Sequence, residues 1–564
     1  MKRLFKFLPF YFTILLFAFQ ATAQNEVKKG LPNGWHLLDH AETGRYGISL
    51  DKAYQFVKGK KSNSVIVAVI DSGVDTLHED LKEVLWRNPK EIPGNGIDDD
   101  KNGYTDDIYG WNFMGGKDGK NVTVDSYERD RVYHEYKDRF EGKDIEAGSL
   151  SKEDLVTFKM WSKAKDELFK EDESVDILIL KMVYQNLFNA DSLLKIALGK
   201  DIYTGSDLEK FQAPTEKINR SKASLLGLMK AYEAMEITNK EFIGDFKSFL
   251  DSEQKKNQAR EIAPENYRGD IVRDNYSDFS DRYYGNNNVY VDEKSAHHGT
   301  HVSGIIAAKR NNKLGVDGIA DNVRIMSIRA VADGDEHDKD IALAIRYAVD
   351  NGARVINMSF GKYFSPKKKW VDEAVEYAQS KGVLFVAAAG NESFNADSLI
   401  HFPSRILDNG KTVTNWISVG ASGDLLLDQY SQKGSKYNSL TAGFSNYGKT
   451  EVDVFAPGMR IYSTVPGGNT YANADGTSMA SPVVAGLAAF ILSYYPNLSA
   501  VQVKYVIEKS AFVPLLDVTI PGKPDQVKLS EISKSGGIIN AYEAIKLAST
   551  LKGERTTRKE MKPF

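Results

Sequence analysis

The sequence predicts an α/β protein, a doubly wound and mainly parallel sheet flanked by helices, with an inserted helical subdomain. Three observations predict it. The strand candidates are continuous apolar runs instead of alternating ones, as in strands buried on both faces. They alternate with helical patterns over most of the chain. Between two of the apolar blocks, residues 122–266 are rich in Lys, Glu and Leu and carry helical spacing.

Taken in order, the chain opens with Met-Lys-Arg-Leu-Phe-Lys, then the mainly apolar stretch Leu8–Phe19, then small residues ending at Ala23. A basic start, a short apolar centre and a small-residue cut site describe an export signal over 1–23. The competing reading, a membrane anchor, needs a longer apolar span. Export places the protein in the periplasm or outside the cell.

Val65–Asp71 reads as the first buried strand. Further strands are expected at Val323–Ala330, Arg354–Ser359, Val383–Ala388 and Trp416–Gly420, with helices at Asp340–Asn351 and Lys368–Lys381 between them. In such sheets the chemistry lies beyond the carboxyl ends of strands. Asp71 and Asn391 both follow strands in this way. Within 122–266, Ser151-Lys152-Glu153-Asp154 resembles a helix start, followed by Leu155, Phe158, Trp161, Ala164 and Leu168 at helical spacing. Thr238-Asn239-Lys240-Glu241 starts another helix, with Ile243, Phe246 and Leu250 on one face. About four amphipathic helices are expected, whose apolar faces need each other, the main body or a second protein as a partner.

Composition excludes several functions. With 73 Lys and Arg against 77 Asp and Glu, the net charge is −4, and no basic block suggests a nucleic-acid surface. The chain has no cysteine. That removes thiol nucleophiles, Cys-type zinc sites and disulfides, and leaves the core, with or without a metal, to hold an exported protein together.

Candidate chemistry sits in four separated blocks. Val65–Asp80 ends its strand at Asp71. Ala296–Ala307 contains His298-Gly299-Thr300-His301. Val383–Glu392 ends a strand near Asn391. Gly476–Gly486 contains Gly476-Thr477-Ser478, a turn opening a small-residue helix. A serine on such a corner has free N–H groups and the positive helix end beside it. It is a nucleophile only if a base and an orienting carboxylate join it. Alone, Ser478 reads equally as a helix cap, Asp71 as a strand-end cap and Asn391 as a turn residue.

Together and in the order Asp, His, Ser, these blocks resemble the subtilases, the subtilisin-like serine endopeptidases. The likeness covers roughly residues 45–115 and 270–549. It implies a subtilisin-like fold divided as 24–121, insert 122–266 and 267–549, with a basic tail at 550–564. It also implies Ser478 as nucleophile, His298 as base, Asp71 as its orienting carboxylate and Asn391 as an oxyanion donor with the Ser478 N–H. His297 has no assigned role, and His301 is expected to pack or bond locally. Substrate is expected as an added strand along Ser359, Phe360 and Gly361, with Ala388 and Gly390 walling an apolar P1 pocket and Gly334 on the opposite rim. The rim sequence Ala332-Asp333-Gly334-Asp335-Glu336 is read either as a site favouring basic side chains or as a solvated acidic loop. Protein or peptide substrates are the expected partners. A chain that kept the fold and lost catalysis is the rival reading; it requires a broken triad position, and none is broken.

Two departures from the family pattern stand out. Asp71 and His298 lie far apart because the helical insert falls between them. Only Gln24 to about Asn33 separates the leader from the apparent start of the main body, too short for a folded propeptide. Finally, Asp98-x-Asp100-x-Asn102-Gly103 matches the first half of a calcium loop, with Asp106 or Asp107 as a further ligand. A structural Ca²⁺ is the cofactor expected there; an Asx-rich surface turn is the alternative.

Overall fold

The computed structural model describes residues 31–170, 177–232, 234, 235, 237–425 and 440–555. The expected leader at 1–23 and the end of the tail from 556 onward lie outside the described residues.

Helices α1 (His40–Thr43) and α2 (Leu50–Phe56) precede β1 (Val65–Asp71) and β2 (Gly110–Asn112). The insert follows as α3 (Glu128–Phe140), α4 (Lys152–Leu168), α5 (Ile177–Leu198), α6 (Gly205–Lys210), α7 (Glu216–Ala231) and α8 (Asn239–Ala259). The chain returns through α9 (Tyr267–Ile271) and α10 (His297–Ala307) to β3 (Val323–Arg329), α11 (Asp338–Asp350) and β4 (Val355–Met358). Next come α12 (Lys368–Ser380), β5 (Leu384–Ala388), β6 (Trp416–Ser422) and β7 (Val454–Pro457). A hairpin, β8 (Ile461–Val465) with β9 (Thr470–Ala474), leads into α13 (Thr477–Tyr494), and α14 (Ala500–Lys509) and α15 (Ala541–Ala548) close the body.

Seven strands form one sheet in the order β2-β3-β1-β4-β5-β6-β7. Every pairing in it is parallel. The sheet is doubly wound, as its apolar strands predict. Val65, Val67 and Val69 of β1 face Val302 and Ile306 of α10 and Val483 and Leu487 of α13. Ala68 and Ile70 face the opposite layer, with Ile341 and Ile345 of α11 and Val371 and Val375 of α12. A strand covered on both sides has no polar face to show, which is why β1 reads as an unbroken apolar run. The five expected strands all occur, shifted by at most two residues at an end.

α13 is the one helix among the described residues long and apolar enough to cross a membrane, yet 89% of that stretch is buried within the protein. It is a core helix. At Gly486 a Cβ would stand 2.8 Å from the Ile319 side chain, so only glycine allows that close approach.

The insert has two cores. Tyr133, Phe140, Trp161, Ala164 and Leu168 pack with Ala259 and with Phe364 of the main body. Beyond them, Leu187, Leu194, Tyr203, Leu208, Leu225 and Met229 make a separate cluster within α5–α8 and their loops. Thr238 and Glu241 form a full capping box at α8, while Ser151 caps α4 through the Asp154 N–H.

Candidate active site

β1 delivers Asp71 to the carboxyl edge of the sheet. Its Oδ1 accepts the Ser72 N–H at 2.7 Å and the His298 Nδ1–H at 2.8 Å. Its Oδ2 is buried without a hydrogen-bond partner among the described residues. His298 is the second residue of α10, and 40% of its side chain remains open to solvent. Burial opposes the charged ring, but the Asp71 charge and hydrogen bond outweigh it, so the imidazole pKa stands above its ordinary value. The bond at Nδ1 also selects the tautomer, leaving Nε2 to accept a proton. Gly299 makes this approach of helix to strand possible, because a Cβ there would meet the Gly73 carbonyl at 2.2 Å and Asp71 Oδ1 at 3.1 Å.

The neighbouring candidates have other work. Asp75 turns its N–H to Thr300 Oγ1 at 2.9 Å and its carboxylate to the Leu77 N–H. His301 is buried and bonds through Nε2 to the Ala472 carbonyl at 3.1 Å, so its partner is the distant β9 and not a local group. Burial pushes its pKa down to about 3, which keeps the ring neutral. His297 is exposed.

Ser478 occupies the first turn of α13, whose leading N–H groups have no intrahelical acceptors. Its Oγ donates to the Ser359 carbonyl at 3.0 Å, and Ser359 Oγ donates back to the Ser478 carbonyl at 2.9 Å. The nucleophile candidate therefore rests against the end of β4, and turning to His298 requires a rotation about its Cα–Cβ bond. Catalytic hydrogen bonds commonly tighten only when substrate is present. Asn391 accepts both the Thr477 N–H and the Thr477 Oγ1–H through Oδ1, each at 2.9 Å. This orients Nδ2 as a free donor. The point where a Cβ on Gly476 would stand lies 3.5 Å from the Ser478 N and 3.7 Å from Asn391 Nδ2, so two donors flank one small space.

The matching family model is that of the subtilase family, over residues 62–538. The chain belongs to the subtilase family. It is similar to a thermophilic serine proteinase of Bacillus sp. (strain AK1), at 44% identity over 44% of this chain and 52% of that protein. It is likewise similar to subtilisin DY of Bacillus licheniformis, at 40% identity over 38% of this chain and 70% of the relative. Among solved structures, a protease of Pseudoalteromonas arctica aligns at 27% identity with a TM-score of 0.35, over 44% of this chain and 70% of that one. The chain thus spans about half the length of the thermophilic proteinase it matches.

In this subtilase the expected substrate walls lie at the strand ends. Ser359, Phe360 and Gly361 leave β4, and Ala388 and Gly390 leave β5 beside it. A cavity of about 190 Å³ opens below, lined by Ala387, Ala388, Ala389, Ile400, His401 and Arg405 among others. At Gly361 a Cβ would overlap the His401 ring at 1.9 Å, and at Gly390, with φ 103°, it would meet Asn446 Nδ2 at 2.3 Å. The fit therefore requires glycine at both positions. The supporting bonds of Thr477, Asn357 and Ser481 escaped the sequence reading, which gave Asn357 only as part of the substrate-pairing segment and Thr477 only as a turn residue. Asn357 joins Ser359 Oγ at 3.0 Å and accepts Ser481 Oγ at 2.9 Å, tying β4 to α13 beneath the nucleophile candidate.

The Gly334 rim differs from either sequence reading. Segment 333–335 pairs with residues 123–126, and a Cβ at Gly334 would stand 2.4 Å from the Asp125 carbonyl. Only Asp333 reaches outward, pairing with Lys255 of α8 at 3.9 Å. Asp335 caps α3 through the Glu128 N–H at 2.8 Å, and Glu336 is buried. Burial pushes the Glu336 carboxyl up to about 8, so it is neither a solvated charge nor a cationic-residue receptor. Next to Gly361, buried Lys362 holds Glu128 at 2.7 Å, Asp338 at 2.8 Å and the Glu336 carbonyl at 2.7 Å. Arg131 reaches Glu128 at 2.8 Å from α3 itself. This ionic knot fixes the root of the insert to both rims of the cleft.

The acidic loop before β2 also rearranges the expected set. Ligand atoms of Glu91, Asp98 and Asp100 lie within 4.8 Å of one another. Asp98 accepts the N–H groups of Asn102 and Gly103 at 3.1 and 2.8 Å. Asn102 donates to Asp107 at 3.0 Å. Asp106 instead accepts the N–H groups of Gly94, Asn95 and Gly96, which closes a turn and leaves it outside the cluster. Glu91, unnoticed in the sequence for want of a motif position, takes its place. Asp107 is buried against Tyr347, and burial pushes its pKa up to about 6.

Proposed function

We propose that this subtilase is an exported serine endopeptidase working through an acyl-enzyme. Ser478 Oγ attacks the scissile carbonyl while His298 Nε2 takes its proton. Asp71 steadies the resulting imidazolium. The new oxyanion sits between the Ser478 N–H and Asn391 Nδ2. The tetrahedral adduct collapses, the C–N bond breaks and His298 gives its proton to the leaving amine. Water then attacks the ester by the same route, which restores Ser478 and releases the acid.

One observation carries this reading: the 2.8 Å Asp71–His298 bond at the same sheet edge as the Asn391–Thr477 pair that precedes Ser478. The substrate would lie as an added strand between Ser359–Gly361 and the Gly334 rim. Ala387, Ala388 and Ala389 in one part of the cavity wall suit an apolar P1 side chain, while His401, Arg405 and Glu451 line the rest. Residues 122–266 are the inserted unit, and 1–23 the export signal. The carboxylates of Glu91, Asp98 and Asp100 suit a hard cation by their oxygen chemistry, and Ca²⁺ bound there with Asn102 would brace the loop leading to β2. It would take no part in peptide cleavage.

Labelling with a fluorophosphonate tests the proposal. The wild-type chain should take the label and Ser478→Ala should not. Label on both, or on neither under conditions where a folded subtilisin labels, would remove Ser478 as the nucleophile.

A further inference from the structure

Both rims of the cleft close to a substrate strand at the same depth. Segment 333–335 gives one edge to residues 123–126. Asp333 accepts the Asp125 N–H at 2.9 Å and donates to the Thr123 carbonyl at 3.2 Å, and Asp335 donates to the Ser126 carbonyl at 3.2 Å. In an extended chain the backbone groups of alternate residues face the same edge, so Gly334 and Glu336 turn to the slot between the rims. On the other rim Lys362 exchanges two backbone bonds with Phe402, at 2.9 and 2.8 Å, so Gly361 and Tyr363 turn to the slot. Gly334 and Gly361 keep their N–H and C=O groups free among the described residues.

The next slot-facing carbonyl on each rim is taken. That of Glu336 accepts Lys362 Nζ at 2.7 Å and Arg131 Nη2 at 3.3 Å, which uses both its lone pairs. That of Tyr363 accepts Lys163 Nζ at 3.2 Å. Arg131 belongs to α3. Lys163 belongs to α4, where its ammonium also lies 4.6 Å from the centre of the Phe364 ring. Lys362 comes from the main body, but Glu128 of α3 holds it at 2.7 Å together with Asp338 at 2.8 Å. The insert supplies or steers all three cations.

Counting along the slot gives a length. The His401 ring lines the P1 cavity and lies flush against Gly361, so the rims flank residues on the amino side of the cut. With P1 at Ser359, beside Ser478, the added strand places its second residue at Gly334 and its third at Gly361, because its residues alternate between the two edges. A fourth would come to Glu336 and a fifth to Tyr363. The N–H of the fourth would meet the Lys362 ammonium on the carbonyl it needs. We propose that the cleft recognises three residues ahead of the scissile bond and no more, the root of the insert standing at the fourth and fifth positions. The inference deepens the proteolytic reading above and rests on it. Peptides with only three residues before the cut are then as good substrates as longer chains, whereas a slot open along both rims would gain from each added residue.

The test uses the full chain, with active sites first counted by fluorophosphonate. Absence of label would fail the proteolytic reading and is scored separately. Acetylated peptide nitroanilides share their last two residues and carry zero to three alanines ahead of them, so chains of two to five residues are compared. Going from two to three residues should raise kcat/KM by more than about threefold, the effect of one modest hydrogen bond at Gly361. A smaller step would remove the added strand and the proposal with it. Going from three to five residues should change kcat/KM by less than about threefold. In Lys163→Met/Lys362→Met, where a donor has left each slot-facing carbonyl, five residues should gain more than about threefold over three. Should that variant misfold, peptide aldehydes of three and five residues should inhibit the wild type with Ki values within about threefold of each other. A larger gain from the fourth or fifth residue in the wild type, by rate or by inhibition, would overturn the proposal. So would a folded double variant as indifferent to length as the wild type.

Discussion

Asp71→Asn separates the charge of the orienting residue from its shape. Oδ1 of Asp71 already serves two donors, the Ser72 N–H and the His298 Nδ1–H, and Oδ2 serves none. An asparagine can keep its oxygen at the Oδ1 position and place its amide where Oδ2 lies. The imidazole then keeps its place, and what disappears is the negative charge that stabilises the imidazolium. Truncating one partner of a close charge pair costs about 2–5 kcal/mol, and 40% exposure of His298 screens this pair toward the lower half of that range. A loss of about 3 kcal/mol at the transition state corresponds to roughly a 10²-fold fall in kcat, and up to about 10⁴ if the ring also flips its tautomer. The sign of the pH effect follows from the same charge. In the wild type Asp71 raises the His298 pKa, so kcat/KM rises as pH climbs through a value above the ordinary histidine range. In Asp71→Asn the limb moves to lower pH. Stopped-flow hydrolysis of a chromogenic peptide across pH 5–9, normalised to titrated sites, measures both. A fall of less than about fivefold with an unmoved limb would refute the role given to Asp71.

Asn391→Ala should lower kcat by about 10²–10³-fold with little change in KM, since its Nδ2 meets charge only in the transition state; steady-state kinetics on the same peptide decide it. Chelation with EDTA should lower the melting temperature, and Asp98→Asn should melt at the chelated value with or without added Ca²⁺, whereas calcium at about 100 times its Kd would add about 2.7 kcal/mol to the wild type. Lys362→Met leaves buried Asp338 without its cation and Glu128 with Arg131 alone, and should cost about 3–5 kcal/mol, read from urea denaturation. A loss under about 1 kcal/mol would mean that the knot under the insert contributes no net stability.

The parallel sheet was legible because burial on both faces leaves only apolar residues, so Val65–Asp71 and Leu384–Ala388 announce themselves. β2 is three residues long, and the β8–β9 hairpin carries mixed polar residues whose pairing depends on α10, so neither left a local pattern. The four motif blocks gave the site residues their positions in sequence. They did not give the Ser478–Ser359 exchange, because both partners are backbone carbonyls reached by hydroxyls, and any residue supplies a carbonyl. Glu336 read as part of an acidic rim, either a site for basic side chains or a solvated loop; only the folded rim shows it buried, with its carbonyl on Lys362. The position of α8 was equally hidden, since the Lys255–Asp333 pair near its end joins segments far apart in sequence and a helical period carries no information about what lies across from it.

The insert also has a consequence for timing. Asp71 and His298 are 227 positions apart, and β1 pairs first with β3, which is made later still. At 5–20 residues per second, roughly 10–45 s pass between synthesis of the carboxylate and of the imidazole. During that interval β1 has no neighbour from its own sheet other than strands yet to be translated, and no hydrolytic centre exists. In the native order the three triad candidates are complete only once Ser478 is made, 478 − 71 = 407 positions after Asp71, whereas in a circular permutant starting at α9 Asp71 would be the last of the three to be made.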